Sequence, residues 1–203
     1  MRDECLSEQQ ATEIRSAVRD TYRLVSKRPS GVLPYPVGRE SALGLGYQRD
    51  WLESISADVV ERFIGVGNPF EVRRPDDGER VLDVGCGCGF DSFVASLLVG
   101  ARGHVVGVDL TPEMLEFARR ASVAWPFRNL QFMEGSVENL PFEDGSFDVV
   151  ISNGVLNLVP DKDAAFRQLS RVLGPGGSFV AADLLVDEAI PEEVLADKDA
   201  WSH

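Results

Sequence analysis

Residues 81–90 read VLDVGCGCGF, and this stretch decides the fold. An apolar run ends in Asp83, and glycines then recur at every second position as Gly85, Gly87 and Gly89. Glycine lacks a Cβ, so a strand that ends in such a turn can adopt positive φ angles and bring its bare backbone against a ligand. The pattern predicts a strand, a tight turn that cradles a cofactor, and the start of a helix.

Two details of this turn indicate the cofactor. Dinucleotide-binding turns have the spacing GxGxxG, and their helix N-terminus faces a pyrophosphate. Here the third glycine comes one residue early, and Phe90 stands where that pattern has its last glycine. Asp83, at the end of the strand, repels a diphosphate and suits a cationic amine or sulfonium. S-adenosylmethionine carries both cations, so we predict this cofactor over a nicotinamide dinucleotide.

The next apolar segment supports this interpretation. Residues 104–110 read HVVGVDL and end their apolar run at Asp109, 20 residues after Gly89. Rossmann-type folds place an acid near this distance, where it accepts hydrogen bonds from ribose hydroxyls. We therefore predict that Asp109 binds the ribose.

A helix is predicted to begin directly after this strand. Thr111 followed by Pro112 is a helix start, with the threonine hydroxyl as N-cap and proline at the first helical position. Leu110 and Met114 are then placed to flank a purine ring. A plain core position is the alternative for Met114.

Composition and charge exclude several classes of partner. The chain has 203 residues, 44% of them hydrophobic, which is enough for one main core and a shorter accessory segment. Its formal charge of −13 argues against nucleic acid, whose partners normally carry a basic surface. No run of about 18 apolar residues appears, and the N-terminus lacks the apolar stretch of a signal peptide. We predict no membrane partner and a cytoplasmic location.

The three cysteines do not indicate a metal site. Cys86 and Cys88 lie within the glycine turn, too constrained to pair with each other, and Cys5 leaves an odd number. The chain has only two histidines and no second cysteine pair, so no metal ligands are predicted. Cys86 is instead grouped with the cofactor-binding turn.

Strand and helix patterns alternate along the chain. We expect an N-terminal helix over 7–27, an irregular loop over 29–49 and a helix over 49–63. Strands are predicted at 80–84, 104–109, 129–134, 147–151 and 178–183, with helices at 90–99, 111–121 and 161–172. This order predicts an α/β, Rossmann-like fold with a mostly parallel sheet and helices on both faces.

Three segments are expected on this basis. Residues 1–72 form a helical N-terminal extension or lid, and residues 73–187 form the cofactor-binding domain. Aromatic packing is the favoured role of Tyr22 and Tyr35, and a lid over the cofactor is the alternative. Residues 188–203 form an acidic tail. Since only five strands precede residue 184, C-terminal strands are expected to be missing. The open edge then needs cover from the N-terminal segment, from a partner such as a second copy, or from further polypeptide.

Four motifs in order resemble the class I S-adenosylmethionine-dependent methyltransferases over about residues 80–183. They are VLDVGCGCGF, VVGVDLTPEML, GSVENLPFEDGSFDVVISN and the RVLGPGG turn before SFVAADL. The resemblance implies that Asp83 and the three turn glycines hold the methionine moiety and sugar, and that Asp109 holds the ribose. It places Ser136 and Val137 at the adenine and Asn153 near the methyl group. The superfamily often has an acid at position 136, so the backbone of Val137 or Glu138 is the alternative adenine contact.

A narrower likeness extends to the N-terminal region. The segments ALGLGYQRDWL (42–52), GVGNPF (65–70) and SNGVLNLVPDK (152–162) are similar to the arsenite methyltransferase family, whose members bind trivalent arsenic through cysteine thiolates. Val66 and Gly154 stand at the places of that family's cysteines. Soft metalloids need thiolate ligands. We therefore expect a relative that keeps the methyl donor and uses another small-molecule acceptor.

The expected reaction is in-line methyl transfer, in which positioning supplies most of the rate enhancement. A general base is needed only for a hydroxyl or acidic carbon acceptor, and no catalytic residue is assigned. The alternatives are an arsenite methyltransferase, a non-catalytic S-adenosylmethionine-binding module and a nicotinamide dehydrogenase.

Overall fold

A computed structural model describes residues 6–27, 31–32, 36–185 and 201 of the chain. Its sheet has five strands in the spatial order β3-β2-β1-β4-β5, and all four pairings are parallel. The strands are β1 (Arg80–Val84), β2 (His104–Asp109), β3 (Leu130–Glu134), β4 (Phe147–Asn153) and β5 (Leu173–Ala182). The predicted α/β fold class with a parallel sheet is confirmed.

Helices precede the sheet and connect most of its strands. In the described part of the chain they are α1 (Glu8–Lys27), α2 (Gly38–Gly44), α3 (Arg49–Ser54), α4 (Ala57–Val60), α5 (Pro69–Val72), α6 (Phe90–Val99), α7 (Pro112–Ser122) and α8 (Lys162–Val172). None of these helices combines the length and the hydrophobicity needed to cross a membrane.

The sheet is buried on both faces. Val81 of β1 belongs to a cluster with Phe93 of α6 and Leu115 of α7, whereas the next residue, Leu82, belongs to a second cluster with Leu169 of α8. Successive side chains of a strand point to opposite faces, so one apolar strand serves both clusters. Full burial of a leucine such as Leu82 contributes about 1.5–3 kcal/mol.

The strand order determines where a ligand site is expected. From β1 the chain builds outward through β2 to β3, then crosses back to β4 and β5 on the other side of β1. Ligands of open parallel sheets bind outside the carboxyl ends of the strands at such a reversal. The ends of β1, β2 and β4 therefore bring Asp83, Asp109 and Asn153 to one edge.

The N-terminal region differs from the predicted elements. The single helix expected over 49–63 is wrong, because the chain leaves helical geometry at Ile55 and Ser56 between α3 and α4. The loop expected over 29–49 is wrong in part, because it contains α2. Ile55 and Ala42 are buried in the cluster that covers β1. Tertiary packing has therefore overridden the local propensity in both segments, 29–49 and 49–63.

Some expectations lie outside the described residues or stay predictions. Tyr35 and Cys5 are outside the described ranges, as is the tail at 188–203 apart from Trp201. The boundary at residue 73 stays a prediction, and residues 42–70 share a buried cluster with β1 and α6. The last strand begins at Leu173, five residues earlier than predicted, with a register irregularity opposite Phe147.

Candidate cofactor and acceptor site

The glycine turn has the geometry expected of a cradle. Gly85, Gly87 and Gly89 have φ angles of +68°, +53° and +89°, and the N–H groups of Gly85 and Cys86 donate to the carbonyl of Val108 on β2. A Cβ added to Gly87 would meet no atom within 4 Å. The backbone at Gly87 therefore borders open space in the cleft.

Asp109, at the end of β2, lies opposite this turn. Its Oδ2 accepts from the Gly87 N–H at 2.8 Å, and its Oδ1 accepts from the Thr111 N–H at 2.8 Å. Burial raises the pKa of Asp109, against the opposing effect of these two bonds. Asp109 also lines the cleft, where a carboxylate is an acceptor for ligand hydroxyls. The predicted Thr111 hydroxyl cap is wrong, since that side chain accepts no bond from the helix backbone.

Asp83 is a buried acid whose carboxyl group accepts a hydrogen bond from a neutral residue, Ser92. It is 2% exposed, and its Oδ2 accepts from Ser92 Oγ at 2.5 Å. Burial, followed by the charge of Asp91, raises the pKa of Asp83 well above its ordinary value. A cation in the cleft would favour the ionised form of this carboxyl.

Asp91 is a second acid of the cleft wall, on the first turn of α6. Tyr47 donates its hydroxyl to Oδ1 at 2.6 Å, and Asn153 donates Nδ2 to Oδ2 at 2.9 Å. Burial raises the pKa of Asp91 to about 6. Asn153 is itself oriented by the N–H groups of Val66 and Gly67, which donate to its Oδ1.

The loop after β3 forms the end of the cleft beyond Asp109. Ser136 and Val137 line the cleft there. The Ser136 hydroxyl donates to Glu138 Oε2 at 3.0 Å and accepts from the Glu138 N–H at 3.2 Å. The hydroxyl expected to meet the adenine is therefore already engaged with a neighbouring carboxylate.

Helix α1 contributes the roof of the cleft. Arg15, Val18 and Tyr22 line it from this helix, and Arg62 lines it from the segment after α4. Arg15 forms a bidentate ion pair with Glu138, at 2.7 and 2.9 Å.

Nine of the eleven predicted cofactor residues line this one cleft: Asp83, Gly85, Cys86, Gly87, Asp109, Leu110, Ser136, Val137 and Asn153. Gly89 and Met114 do not. Gly89 is the N-cap of α6, and an added Cβ would run into the Phe132 ring. Met114 is 1% exposed and packs its Sδ 3.2 Å from Cys88 Sγ, so the core position is the correct alternative.

Several residues of the cleft were not predicted from the sequence. Asp91 had an available signal, because it follows the last turn glycine by two residues and helix N-termini at such turns face the ligand. Glu138 was considered only for its backbone. Arg15 had no local signal, since it lies 123 residues from Glu138. The residues that line the cleft after β4, at 155 and 158–160, were also not predicted.

The thiols of the turn are poor metal ligands. Cys86 and Cys88 are free and buried. Burial raises the pKa of Cys88 to about 12, and burial raises the pKa of Cys86 well above its ordinary value. Thiolates, which metals require, are therefore disfavoured at both positions.

The residues of the cleft fit S-adenosylmethionine. Asp109 presents hydrogen-bond acceptors for hydroxyl groups, and Gly87 leaves the backbone exposed to the cleft. The side-chain donors to the carboxyls of Asp83 and Asp91 are Ser92, Tyr47 and Asn153, which are neutral. A ligand with hydroxyls at one end and positive charge at the other satisfies these groups.

Comparison with known proteins bears on the family. A family model described as a methyltransferase domain matches residues 75–203. The arsenite methyltransferase of Halobacterium salinarum is 42% identical over 156 residues, which cover 77% of this chain and 40% of that protein. The demethylmenaquinone methyltransferase of Staphylococcus saprophyticus is 41% identical over 106 residues, covering 52% of this chain and 45% of that protein.

A solved structure agrees. The arsenic(III) S-adenosylmethionine methyltransferase of Chlamydomonas reinhardtii matches with a TM-score of 0.66 and 41% identity, over 72% of this chain and 51% of that one. The chain spans about half the length of the relatives it matches. These findings confirm the predicted superfamily and its cofactor, S-adenosylmethionine. The chain belongs to the class I S-adenosylmethionine-dependent methyltransferases.

Proposed function

We propose that this chain binds S-adenosylmethionine and directs its methyl group to a small-molecule acceptor. When bound, the cofactor supplies an electrophilic methyl group on a cationic sulfur. The observation that carries the proposal is one continuous cleft that joins Asp109, the bare turn at Gly87 and the Asp91–Asn153 pair.

Each part of the cleft has a proposed role. Asp109 accepts the ribose hydroxyls, and the backbone at Gly85, Cys86 and Gly87 receives the methionine moiety. Leu110 and Val137 flank the adenine. Asp83 and Asp91 balance the positive charge of the cofactor. Gly89 acts indirectly, by letting α6 begin where it does.

The acceptor is proposed to bind beyond Asn153, where the wall is mainly apolar. Phe63 and Val155 line the cleft close to Asn153: a Cβ added to Gly65 would meet both the Asn153 amide and the Phe63 ring, and Val155 is two residues beyond Asn153. Apolar walls favour carbon-rich, uncharged ligands.

The positions that resemble arsenite-binding sites support the same acceptor class. A Cβ added to Gly154 would lie 3.4 Å from Val66 Cγ1, so the two positions are neighbours. A valine and a glycine there supply no thiolate, which soft metalloids require. The relatives include demethylmenaquinone methyltransferases as well as arsenite methyltransferases. Because the thiolates are missing, we propose a hydroxylated aromatic acceptor first and arsenite as the second candidate.

A hydroxyl acceptor would need to lose a proton. Asp91 is the proposed recipient, because it lies in the cleft wall next to Asn153 and its pKa of about 6 leaves it ionised at neutral pH. In this step the acceptor O–H proton passes to the carboxylate, the oxygen lone pair forms the new C–O bond, and the C–S electrons remain on sulfur.

The proposal is tested first by cofactor binding and then by methyl transfer to an acceptor. Calorimetry should show that S-adenosylhomocysteine binds and that NADH does not. The chain is then incubated with S-adenosylmethionine and a panel of hydroquinones, phenols, thiols, amines and arsenite, and methylated products are detected by mass spectrometry. We expect products from the hydroxylated aromatics. Binding without product from any class would favour the non-catalytic module, and methylated arsenic alone would favour the second candidate.

Location and assembly are part of the proposal. Two buried free cysteines suit a reducing compartment, so we propose the cytoplasm. In the described residues β5 pairs only with β4, and we propose that its outer edge supports a homodimer. Sedimentation velocity between 5 and 200 µM, about the range of weak association, tests this. A single monomeric species throughout would exclude the dimer.

A further inference from the structure

We propose that the Arg15–Glu138 ion pair is the latch that closes α1 over the cofactor cleft, with Glu138 as the positioning residue that joins the lid to the adenine end. The proposal rests on the proposed function, because it takes the cleft beneath α1 as the cofactor site.

The geometry of the pair is that of a specific attachment. Arg15 Nε lies 2.7 Å from Glu138 Oε2 and Arg15 Nη2 lies 2.9 Å from Oε1. The two side chains are 26% and 9% exposed. A bidentate, largely desolvated arginine–carboxylate pair is stronger and more directional than an exposed surface pair.

Glu138 connects three walls of the cleft. Its Oε2 also accepts from Ser136 Oγ at 3.0 Å, and its Oε1 also accepts from the Asp161 N–H at 3.1 Å. Each oxygen thus receives two bonds, which fills the four acceptor sites of a carboxylate. The donors come from the lid, from the loop after β3 and from the N-cap of α8.

The charge state of Glu138 agrees with this role. Burial opposes its ionisation, but the bonds from Arg15 and from the Asp161 N–H outweigh burial and lower the pKa of Glu138. The carboxylate therefore stays ionised, and the pair stays formed, at neutral pH.

Both ends of α1 bury apolar side chains, and the end near Arg15 is also held by the ion pair. Val25 is almost fully buried in a cluster with Cys88 and Met114, and Arg62 donates Nε to the Ser26 carbonyl at 3.2 Å. Water can replace the partners of an ion pair, whereas apolar burial has no such substitute. We therefore expect the lid to open at the Arg15 end and to pivot near Val25. Ala11 and Ile14 are also buried, so loss of the latch loosens α1 without detaching it.

Ligand exchange under a latched lid requires the latch to break. Removing the latch should therefore raise the association and the dissociation rate of the cofactor together. We expect Arg15→Gln and Glu138→Gln to raise both rates of S-adenosylhomocysteine about tenfold, the effect of one charge-assisted hydrogen bond, with a smaller change in Kd. Surface plasmon resonance on the full chain measures both rates.

Matched controls separate the latch from general charge effects. Arg19→Gln changes an exposed arginine of the same helix, and Glu134→Gln changes an exposed acid at the end of β3. Both should leave the two rates unchanged.

A second measurement needs no ligand. Hydrogen–deuterium exchange of α1 amides in the unliganded chain should be faster in Arg15→Gln and Glu138→Gln than in the wild type or the controls. Unchanged exchange would overturn the latch even if S-adenosylhomocysteine fails to bind, a failure that would belong to the proposed function. A rise in the dissociation rate alone would also overturn it, because that pattern indicates direct contact between Arg15 and the ligand.

Discussion

Three aspartate side chains line one cleft, and each is held by a different set of neutral donors. Asp109 is bonded by two backbone N–H groups, Asp83 by Ser92, and Asp91 by Tyr47 and Asn153. Burial raises the pKa of all three. A cation bound in the cleft would offset the negative charge of these carboxylates. Acids at these positions therefore suit a sulfonium cofactor.

The ribose assignment predicts a loss of cofactor affinity in Asp109→Ala. Removing charge-assisted hydrogen bonds should weaken S-adenosylhomocysteine binding by about 1–3 kcal/mol, measured by calorimetry. Asp163→Ala, at an exposed position on α8, is the matched control and should bind as the wild type does. Equal affinity in the two variants would contradict the assignment.

Asp91 predicts a pH-dependent difference in stability. Its pKa is about 6 in the folded chain and 3.8 ordinarily, so the folded state holds the proton more tightly. The stability that Asp91 contributes is complete below pH 4 and is lost as the pH rises through 6, by about 3 kcal/mol in total.

The variant Asp91→Asn lacks this titration. Relative to the wild type, its free energy of unfolding should therefore increase between pH 4 and pH 7. Urea unfolding of the wild type and of Asp91→Asn at several pH values measures the difference. A difference that is the same at every pH would show that Asp91 does not titrate in this range.

At the scale of the element, two glycines in the turn between β1 and α6 have different roles. Gly87 borders open space in the cleft, whereas Gly89 lies against the Phe132 ring at the start of α6. Both have positive φ. One glycine therefore serves the ligand and the other serves packing.

The two alanine variants should separate these uses. Gly89→Ala combines backbone strain with overpacking and should lower stability by about 2–4 kcal/mol. Gly87→Ala should cost only about 1–2 kcal/mol of stability, from the backbone alone, but should weaken S-adenosylhomocysteine binding because the methyl group projects into the cleft. Urea unfolding and calorimetry measure the two effects. Equal destabilisation of both variants would contradict this division.

At the scale of the whole molecule, the formal charge of −13 surrounds a cleft whose own acids outnumber its arginines. Such a field favours cationic small molecules and disfavours polyanions. Arg15 is paired with Glu138, so its charge offsets that carboxylate and not Asp83 or Asp91.

Cofactor affinity should therefore depend on pH and on ligand charge. Protons and the sulfonium compete for the same carboxyls, so affinity for S-adenosylmethionine should rise from pH 5 to pH 7.5, by at most about tenfold per pH unit per proton. S-adenosylhomocysteine lacks the sulfonium charge and should respond less. Calorimetry of both ligands across this range checks the difference, and parallel responses would argue against the charge-balancing role of Asp83 and Asp91.

The sequence by itself determined the parts of this protein that depend on neighbouring residues. The apolar runs predicted the strands, and the alternating glycines predicted the turn between β1 and α6, because positive φ is a local steric requirement. The position of Asp109 beside that turn was predicted from its distance along the chain, since a βαβ unit has a nearly fixed length. These features were sufficient for the fold class and for most of the cleft.

Only the tertiary structure decided what depends on burial and on distant contacts. The break at Ile55 and the core position of Met114 follow from packing that local propensity does not contain. The pKa of Asp91 follows from its burial, and the Arg15–Glu138 pair joins residues 123 positions apart. Helix and strand patterns arise from steric rules within a few residues, whereas desolvation and long-range pairing exist only once the chain has folded.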